Sequence, residues 1–395
     1  MDSQLSGIVT LIRSALKDEA LALPEDFNWD SAATVLYEHH LVGMAVRGAA
    51  RCGIPRSHPV IRQLTALFCK DVAASRLQMK QLDAVYTLFQ ENGIEYMPVK
   101  GAVIKPMYPQ SELRAMGDAD ILIRQEQYPK IRELMSSLGL QEKVESDHEY
   151  VWHRGDFKLE LHKRLIPSYN KDYYAYYGDG WRFARQDGQS SAYHLTPEDH
   201  FIYLLVHFAK HYRDGSISAK NLCDFWVCRK ACPHMDETYI CTELRKLKLL
   251  DFYRNILDLL NTWFEGAAPT KAVEILTQTA FRGGIYTLEE SQLTVSVIKL
   301  NKETSSLSGS KYKWLWKKLF PPASTLRQRF PVLKKYPVLL PFAWVVRWFD
   351  ALFLRRDQLK RGLSKSQELM NMDTGRVSEY ENQLRAVGLD FNFPE

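Results

Sequence analysis

Cysteine is scarce in this chain: there are six in 395 residues, and no two form a Cys-x-x-Cys pair. That excludes a disulfide-stapled secreted scaffold. It also leaves Cys223, Cys228, Cys232, His234 and Cys241 without the spacing of a closed tetrahedral zinc site, so these thiols read as buried side chains in helical texture. Long uncharged apolar runs are missing too. The best candidate, Tyr336 to Leu354, is broken by Pro337 and Pro341 and contains Arg347 and Asp350. Each charge would cost ~2.5–3.5 kcal/mol at the centre of a bilayer, so no transmembrane segment is expected. The start, MDSQLSGIVTLIRSALKDEA, mixes both charge signs on an amphipathic pattern instead of forming a signal peptide. Internal repeats and low-complexity tracts are absent as well. The expectation is a cytoplasmic protein, either free or held peripherally at a membrane.

What is present is an ordinary globular composition, 46% hydrophobic and 25% charged, with a net charge of +5 that hides an asymmetry. Between Lys311 and Arg361, 13 Lys or Arg stand against two acids, Asp350 and Asp357, a local +11, so the other residues sum to −6. The pattern divides the chain into four regions. Residues 1–85 carry apolar side chains at three- and four-residue spacing and read as helices, the last running on to a stop at Asn92-Gly93. Residues 86–175 read as a small α/β core with strands at IEYMPVKG, DADILI, EKVES, EYVWHRGD and FKLELHKRL. Helical texture returns over 190–300, opened by Thr196-Pro197-Glu198 as N-cap and first turn. Residues 301–395 form a basic, aromatic, Pro-interrupted helical region. The expected fold class is therefore α+β: a small mixed-sheet core with N-terminal helices and a C-terminal helical domain.

The stretch VKGAVIKPMYPQSELRAMGDADILI concentrates the chemistry. Residues i and i+2 of a strand share a face, so Asp118 and Asp120 project together, and two carboxylates so close need a neutralising partner. A hard divalent cation such as Mg2+ takes one or two carboxylates and leaves room for phosphates. Glu160, with Lys158 and His162 on its strand face, offers a third acid. Upstream, Lys100-Gly101 sits where a strand gives way to a helix, which suits a phosphate, and Arg114 supplies further charge. Asp-x-Asp or Lys-Gly alone is a routine surface turn; the ordered set of strand, Lys-Gly, helix, Arg, Asp-x-Asp and a later Glu is much rarer. These are the parts of a phosphoryl- or nucleotidyl-transfer site.

The same residues, PVKGAVIKPMYPQSELRAMGDADILI followed by LELHKRL, resemble the uncharacterised bacterial nucleotidyltransferase family of the DNA polymerase beta superfamily. The resemblance extends to LLVHFAKHY and KNLCDFWV and covers roughly residues 80–300. It implies a metal-dependent enzyme that moves a nucleoside monophosphate from a nucleoside triphosphate to an acceptor hydroxyl or phosphate, releasing pyrophosphate. It implies Mg2+ or Mn2+ on Asp118, Asp120 and Glu160, and the triphosphate on Lys100, Gly101 and Arg114. Lys220 and Asp224 would face the nucleotide, although an i, i+4 surface pair reads equally well. The chain departs from the wider superfamily in having Lys-Gly in place of Gly-Ser at the turn, Ala119 inside Asp-x-Asp, and Glu instead of Asp at 160.

Other readings stay open at this point. A non-catalytic nucleotide-binding scaffold would use the same fold, and an RNA-directed transferase would bind RNA with a steep salt dependence. The acceptor is a sugar, peptide, protein or small molecule. His207 and His211, at i, i+4, read as a polar helix face near the cleft. The basic segment 311–361 reads either as Trp-rich helices packed on the core or as a surface for an anionic membrane or acidic partner.

Overall fold

A computed structural model describes residues 2–168, 170–215, 217–282, 289–304, 307–326, 329–353 and 356–391. The chain divides into two compact units, one formed by Met1–Tyr212, Ser216–Tyr286 and Ala386–Glu395, the other by Arg213–Gly215 and Thr287–Arg385.

The first unit opens with four helices, α1 (Ser3–Lys17), α2 (Trp29–Glu38), α3 (Val42–Arg51) and α4 (Pro59–Glu91). Asp2 caps α1 by accepting from the Leu5 N–H at 2.7 Å, and Asn28 caps α2 in the same way through Ser31. The contact of α1 with α3 is close enough to dictate a residue: a Cβ on Gly48 would lie 2.0 Å from the Leu11 carbonyl oxygen. Helix α4 is 33 residues, ~50 Å, and buries apolar side chains only near its ends, Val60, Ile61 and Leu64 at one and Leu82, Val85 and Phe89 at the other. It stops at Asn92, where Gly93 takes a φ of +66°.

The sheet follows: β1 (Tyr96–Val99), then the single-turn α5 (Gly101–Ile104), β2 (Ala119–Ile123), α6 (Tyr128–Ser137), β3 (Gln141–Glu145), β4 (Glu149–Arg154) and β5 (Phe157–His162). Strand order is β1-β2-β5-β4-β3, with β2 and β5 parallel and the other pairs antiparallel. Strand alternation gives the sheet two chemically different faces. Ala119, Ile121, Ile123, Leu159, Leu161, Tyr150 and Trp152 pack against Leu82, Val85 and Phe89 of α4 and Ile131 and Met135 of α6. The other face carries Asp120, Lys158, Glu160, His162 and Glu149. The parallel register sets Asp120 opposite Glu160, and the antiparallel one sets Glu149 opposite His162.

After α7 (Lys171–Tyr177) and a small hairpin, β6 (Arg185–Gln186) and β7 (Tyr193–His194), come α8 (Pro197–Arg213) and α9 (Ala219–Ala231). Thr196 caps α8 through the Asp199 N–H at 3.1 Å, and Pro197 is its first residue. The unit continues with α10 (Glu237–Lys246), α11 (Leu250–Leu260) and α12 (Lys271–Phe281). The architecture is α+β, as the sequence pattern implied.

The second unit is helical: α13 (Glu289–Thr304), α14 (Leu307–Leu319), α15 (Ala323–Leu326), α16 (Val332–Lys335), α17 (Leu340–Phe353), α18 (Arg356–Asn371) and α19 (Thr374–Ala386). Aromatic contacts join α14 to α17: the Phe320 ring meets Trp344 and Trp348 edge-on at 5.2 and 5.1 Å. Of the basic segment 311–361, residues 327–328 and 354–355 lie outside the described residues. No helix among the described residues is long and apolar enough to cross a membrane.

The Gly48 contact yields a stability prediction. Gly48→Ala must push α1 and α3 apart and is expected to cost ~1–3 kcal/mol in urea unfolding, the usual range for overpacking. A variant as stable as the parent would mean that the two helices are not packed this closely.

Candidate functional site

The turn between β1 and α5 is conformationally costly. Lys100 adopts φ +52°, ψ −119°, a region that glycine enters freely and other residues enter at ~1–3 kcal/mol. Its ammonium donates to Asp120 Oδ1 at 2.7 Å. Gly101 is required for a different reason. A Cβ there would lie 2.8 Å from Arg114 Nη1 and 3.1 Å from the Met116 side chain.

Asp120 is buried and also accepts from His162 Nε2 at 2.7 Å. Burial alone would raise its carboxyl pKa, but Lys100 and His162 more than offset that and hold it well below the usual carboxylate range. Glu160 is shifted the other way. Burial raises it first, and the charges of Asp118 and Asp120 raise it further, against the Lys158 ammonium that donates to it. Asp118 lies one residue before β2, half exposed, and accepts from the same Lys158 Nζ at 3.2 Å. Behind His162, its Nδ1 lies 3.1 Å from His148 Nε2 and 3.6 Å from Glu149. Burial and the neighbouring cationic groups push His148 well down, so it is held neutral.

Among the described residues, two groups of side chains place ligand atoms within 4.8 Å of one another: Asp120, Glu160 and His162, and His148, Glu149 and His162. Neither contains a cysteine. Asp118, which the sequence grouped with Asp120 and Glu160, stands at the edge of the first group and not within it.

Across the cleft the chemistry is a buried ion pair. Arg114 donates from Nε and Nη2 to the two oxygens of Asp224, both at 2.7 Å, and the Tyr108 hydroxyl donates to Asp224 at 2.8 Å. This bidentate pair ties α9 to the segment leading into β2. Lys220, one turn earlier on α9, donates to the Ala115 carbonyl at 3.1 Å and is pushed down to about 8 by burial and then by Arg114. Lys105, fully buried, donates to the Arg114 carbonyl at 2.6 Å and is lowered to about 8 for the same reasons.

All eight residues singled out in the sequence, Lys100, Gly101, Arg114, Asp118, Asp120, Glu160, Lys220 and Asp224, line one cavity of about 460 Å3. Their placement is not uniform. Arg114 and Asp224 are joined to each other, while Asp118, Asp120 and Glu160 meet lysines. The sequence reading did not single out His148 and Glu149, which the pairing of β4 with β5 carries in, or Lys210 from α8. His207 and His211 line the same cavity with their Nε2 atoms 3.2 Å apart. An adjoining cavity of about 780 Å3 shares Met116, Gly117, Asp118 and Lys220 with it and runs along α4 past Phe68, Asp71 and Gln78.

Comparison with known proteins follows this geometry. A family described as uncharacterised nucleotidyltransferase matches residues 25–265, more than half of the chain. No curated protein matches it. A solved structure, the solution structure of the antibiotic-resistance factor ANT(2'')-Ia, is similar over 40% of this chain and 84% of that one, at 11% sequence identity and a TM-score of 0.31.

The two kinds of charge pair predict different stabilities. Asp224→Ala strands a buried guanidinium and is expected to cost ~3–5 kcal/mol. Asp118→Asn changes a half-exposed group and is expected to stay within ~0.5 kcal/mol of the parent. Equal unfolding midpoints for the two variants would contradict this division.

Proposed function

The chain belongs to the family of uncharacterised nucleotidyltransferases, and from that membership we propose that it moves a nucleoside monophosphate group from a nucleoside triphosphate to an acceptor hydroxyl or phosphate, releasing pyrophosphate, in a reaction dependent on Mg2+ or Mn2+. The observation that carries the reading is the face of the sheet on which Asp120 stands opposite Glu160, with Asp118 at its edge, inside a cavity that also holds Lys100 and Lys220. Three carboxylates on one wall need positive charge, and Lys100 and Lys158 supply only part of it. An all-carboxylate donor set with one imidazole hydrogen-bonded behind it fits a hard divalent cation.

On this reading Asp118, Asp120 and Glu160 hold the cation, with His162 bonded to Asp120 fixing its orientation. Bound there, the cation would neutralise the phosphate oxygens and the charge that develops on the leaving pyrophosphate. Lys100 and Lys220 direct positive charge toward the phosphates from opposite sides of the cleft. Arg114 acts through its fixed pair with Asp224, which sets the position of α9 and of the Lys100-Gly101 turn. Glu160 serves either as the third ligand or, where the cation sits on Asp118 and Asp120 alone, as the base that takes the acceptor proton, its carboxyl pKa being raised by burial. The acceptor oxygen then bonds to the α-phosphorus as the bond to the bridging α–β oxygen breaks. The acceptor enters through the adjoining cavity along α4, which meets the first at Asp118 and Lys220.

A second reading, nucleotide binding without turnover, is favoured by one observation: Lys100 and Lys158 already occupy Asp120, Asp118 and Glu160. Pyrophosphate release from each of the four ribonucleoside triphosphates, with Mg2+ or Mn2+, separates the two, with mass spectrometry of the protein alongside to detect self-modification. Metal-dependent release that disappears in the Asp118→Ala, Asp120→Ala double variant is expected. Full release by a folded double variant would refute the assignment of these carboxylates.

The metal site has its own test. His162→Ala is expected to weaken Mn2+ binding by ~10–100-fold, the usual loss when a group orienting a metal ligand is removed. Electron paramagnetic resonance of free Mn2+ measures this without any acceptor, and unchanged affinity would remove His162 from the site.

A further inference from the structure

Helix α17 is inside out. Its exposed positions, Pro341, Phe342, Val345, Val346, Phe349, Leu352 and Phe353, are all apolar and cover a continuous arc of about 140° at 100° per residue. Phe342 is 70% exposed and Phe353 65%. The polar groups of the helix turn the other way. Asp350 pairs with Arg329, Arg347 reaches the Leu319 carbonyl, and the indole N–H groups of Trp344 and Trp348 donate to the carbonyls of Pro321 and Leu319 at 2.8 and 3.1 Å. A helix packed on a protein core for its own stability would show the opposite distribution.

The arc continues beyond the helix. Val338, 80% exposed, and Tyr336 precede it, and α14 exposes Tyr312, Trp316 and Leu319 at i, i+4, i+7. Exposed Lys317, Lys318 and Lys335 flank these residues, and the whole segment 311–361 carries +11. An apolar face of seven exposed side chains on one helix marks a binding surface. Its charge decides the partner. Two copies of so basic a segment repel, which disfavours self-association through this face. Aromatic side chains ringed by lysines match the boundary of an anionic bilayer, where rings enter the acyl edge and ammonium groups meet phosphates. At 14 residues, ~21 Å, α17 is too short to span the ~30 Å hydrocarbon core, so it lies in the interface plane.

We propose that the face formed by α17 and the exposed side of α14 docks the protein peripherally on an anionic lipid surface. This inference does not depend on the transfer reaction.

Co-sedimentation of the full chain with vesicles tests it. Binding to phosphatidylcholine–phosphatidylglycerol vesicles is expected to exceed binding to phosphatidylcholine alone and to weaken with added salt. The triple variant Phe342→Ser, Phe349→Ser, Phe353→Ser is expected to lose ~100-fold in binding. Lys317→Glu, Lys318→Glu is expected to lose the preference for phosphatidylglycerol. Because the triple variant could misfold, quenching of the wild-type tryptophans by brominated lipid gives a second reading, and Trp316→Phe is expected to reduce it. Absence of a phosphatidylglycerol preference, a folded triple variant that binds like the parent, or quenching unchanged by Trp316→Phe would overturn the proposal. So would dimerisation that the triple variant abolishes without any vesicle binding, which would assign the face to a second copy of the chain.

Discussion

Asp120 and Glu160 stand opposite one another across a parallel strand pair, and much of the first unit can be understood as the means of keeping them there. Two like charges ~5 Å apart repel by ~3 kcal/mol at an effective dielectric of ~20. The sheet cannot separate them, because its other face is locked by Ile121, Leu159 and Leu161 against α4 and α6. A slip of one residue in register would bring those aliphatic side chains into the cleft and the acids into the core. The repulsion is therefore met locally by Lys100 on Asp120, Lys158 on Glu160 and Asp118, and His162 on Asp120. Lys100 makes this contact from a backbone conformation that suits glycine, so the turn carries a strain that the ion pair with Asp120 helps offset.

The second constraint is the buried Arg114–Asp224 pair. A buried ion pair adds little net stability, yet losing one partner is costly, so it acts more as a geometric lock than as a source of stability. Here it fixes α9 against the segment between α5 and β2, with Tyr108 and the buried Lys105 completing the bonds around it. Lys220 is carried on the same helix, so the spacing between Lys220 and the carboxylates depends on this lock. A guanidinium given to phosphate binding in the sequence reading thus has two of its nitrogens committed to protein.

Several parts of this arrangement could be read in the sequence because they are local. The face shared by Lys158, Glu160 and His162, the Asn92-Gly93 stop and the Thr196 cap each need only a few neighbouring residues. Asp118, by contrast, expected on a strand face with Asp120, lies one residue before β2. Other parts depend on pairing, which one sequence does not encode locally. His148 and Glu149 enter the cavity because β4 aligns with β5 so that Glu149 meets His162. Lys105 lies in IKPMY, where a lysine normally reads as solvated, yet it is fully buried on a carbonyl. For α17, periodicity reveals that the helix has two faces but not which one meets protein. The indole nitrogens and Arg347 find carbonyl partners inward, which turns Phe342, Phe349 and Phe353 outward.

The charge balance of the cavity ties the site to its proposed chemistry. Its lining carries Lys100, Arg114, Lys210 and Lys220 against Asp118, Asp120, Glu149, Glu160 and Asp224. Counted as ionised, these leave a net −1, which Lys158, bonded to Asp118 and Glu160, brings to zero; of the four histidines besides, His148, His207 and His211 are held neutral chiefly by burial. On the proposed reading, a cavity with no net positive charge would do little to draw in a triphosphate by itself. A divalent cation held among Asp118, Asp120 and Glu160, the wall on which acids outnumber cations, would make the balance +2. Cation and triphosphate would then each make the site more favourable for the other, a reciprocal coupling that follows from electrostatics without any change in fold. The lysines now bonded to the carboxylates are the groups such a cation would release toward the phosphates.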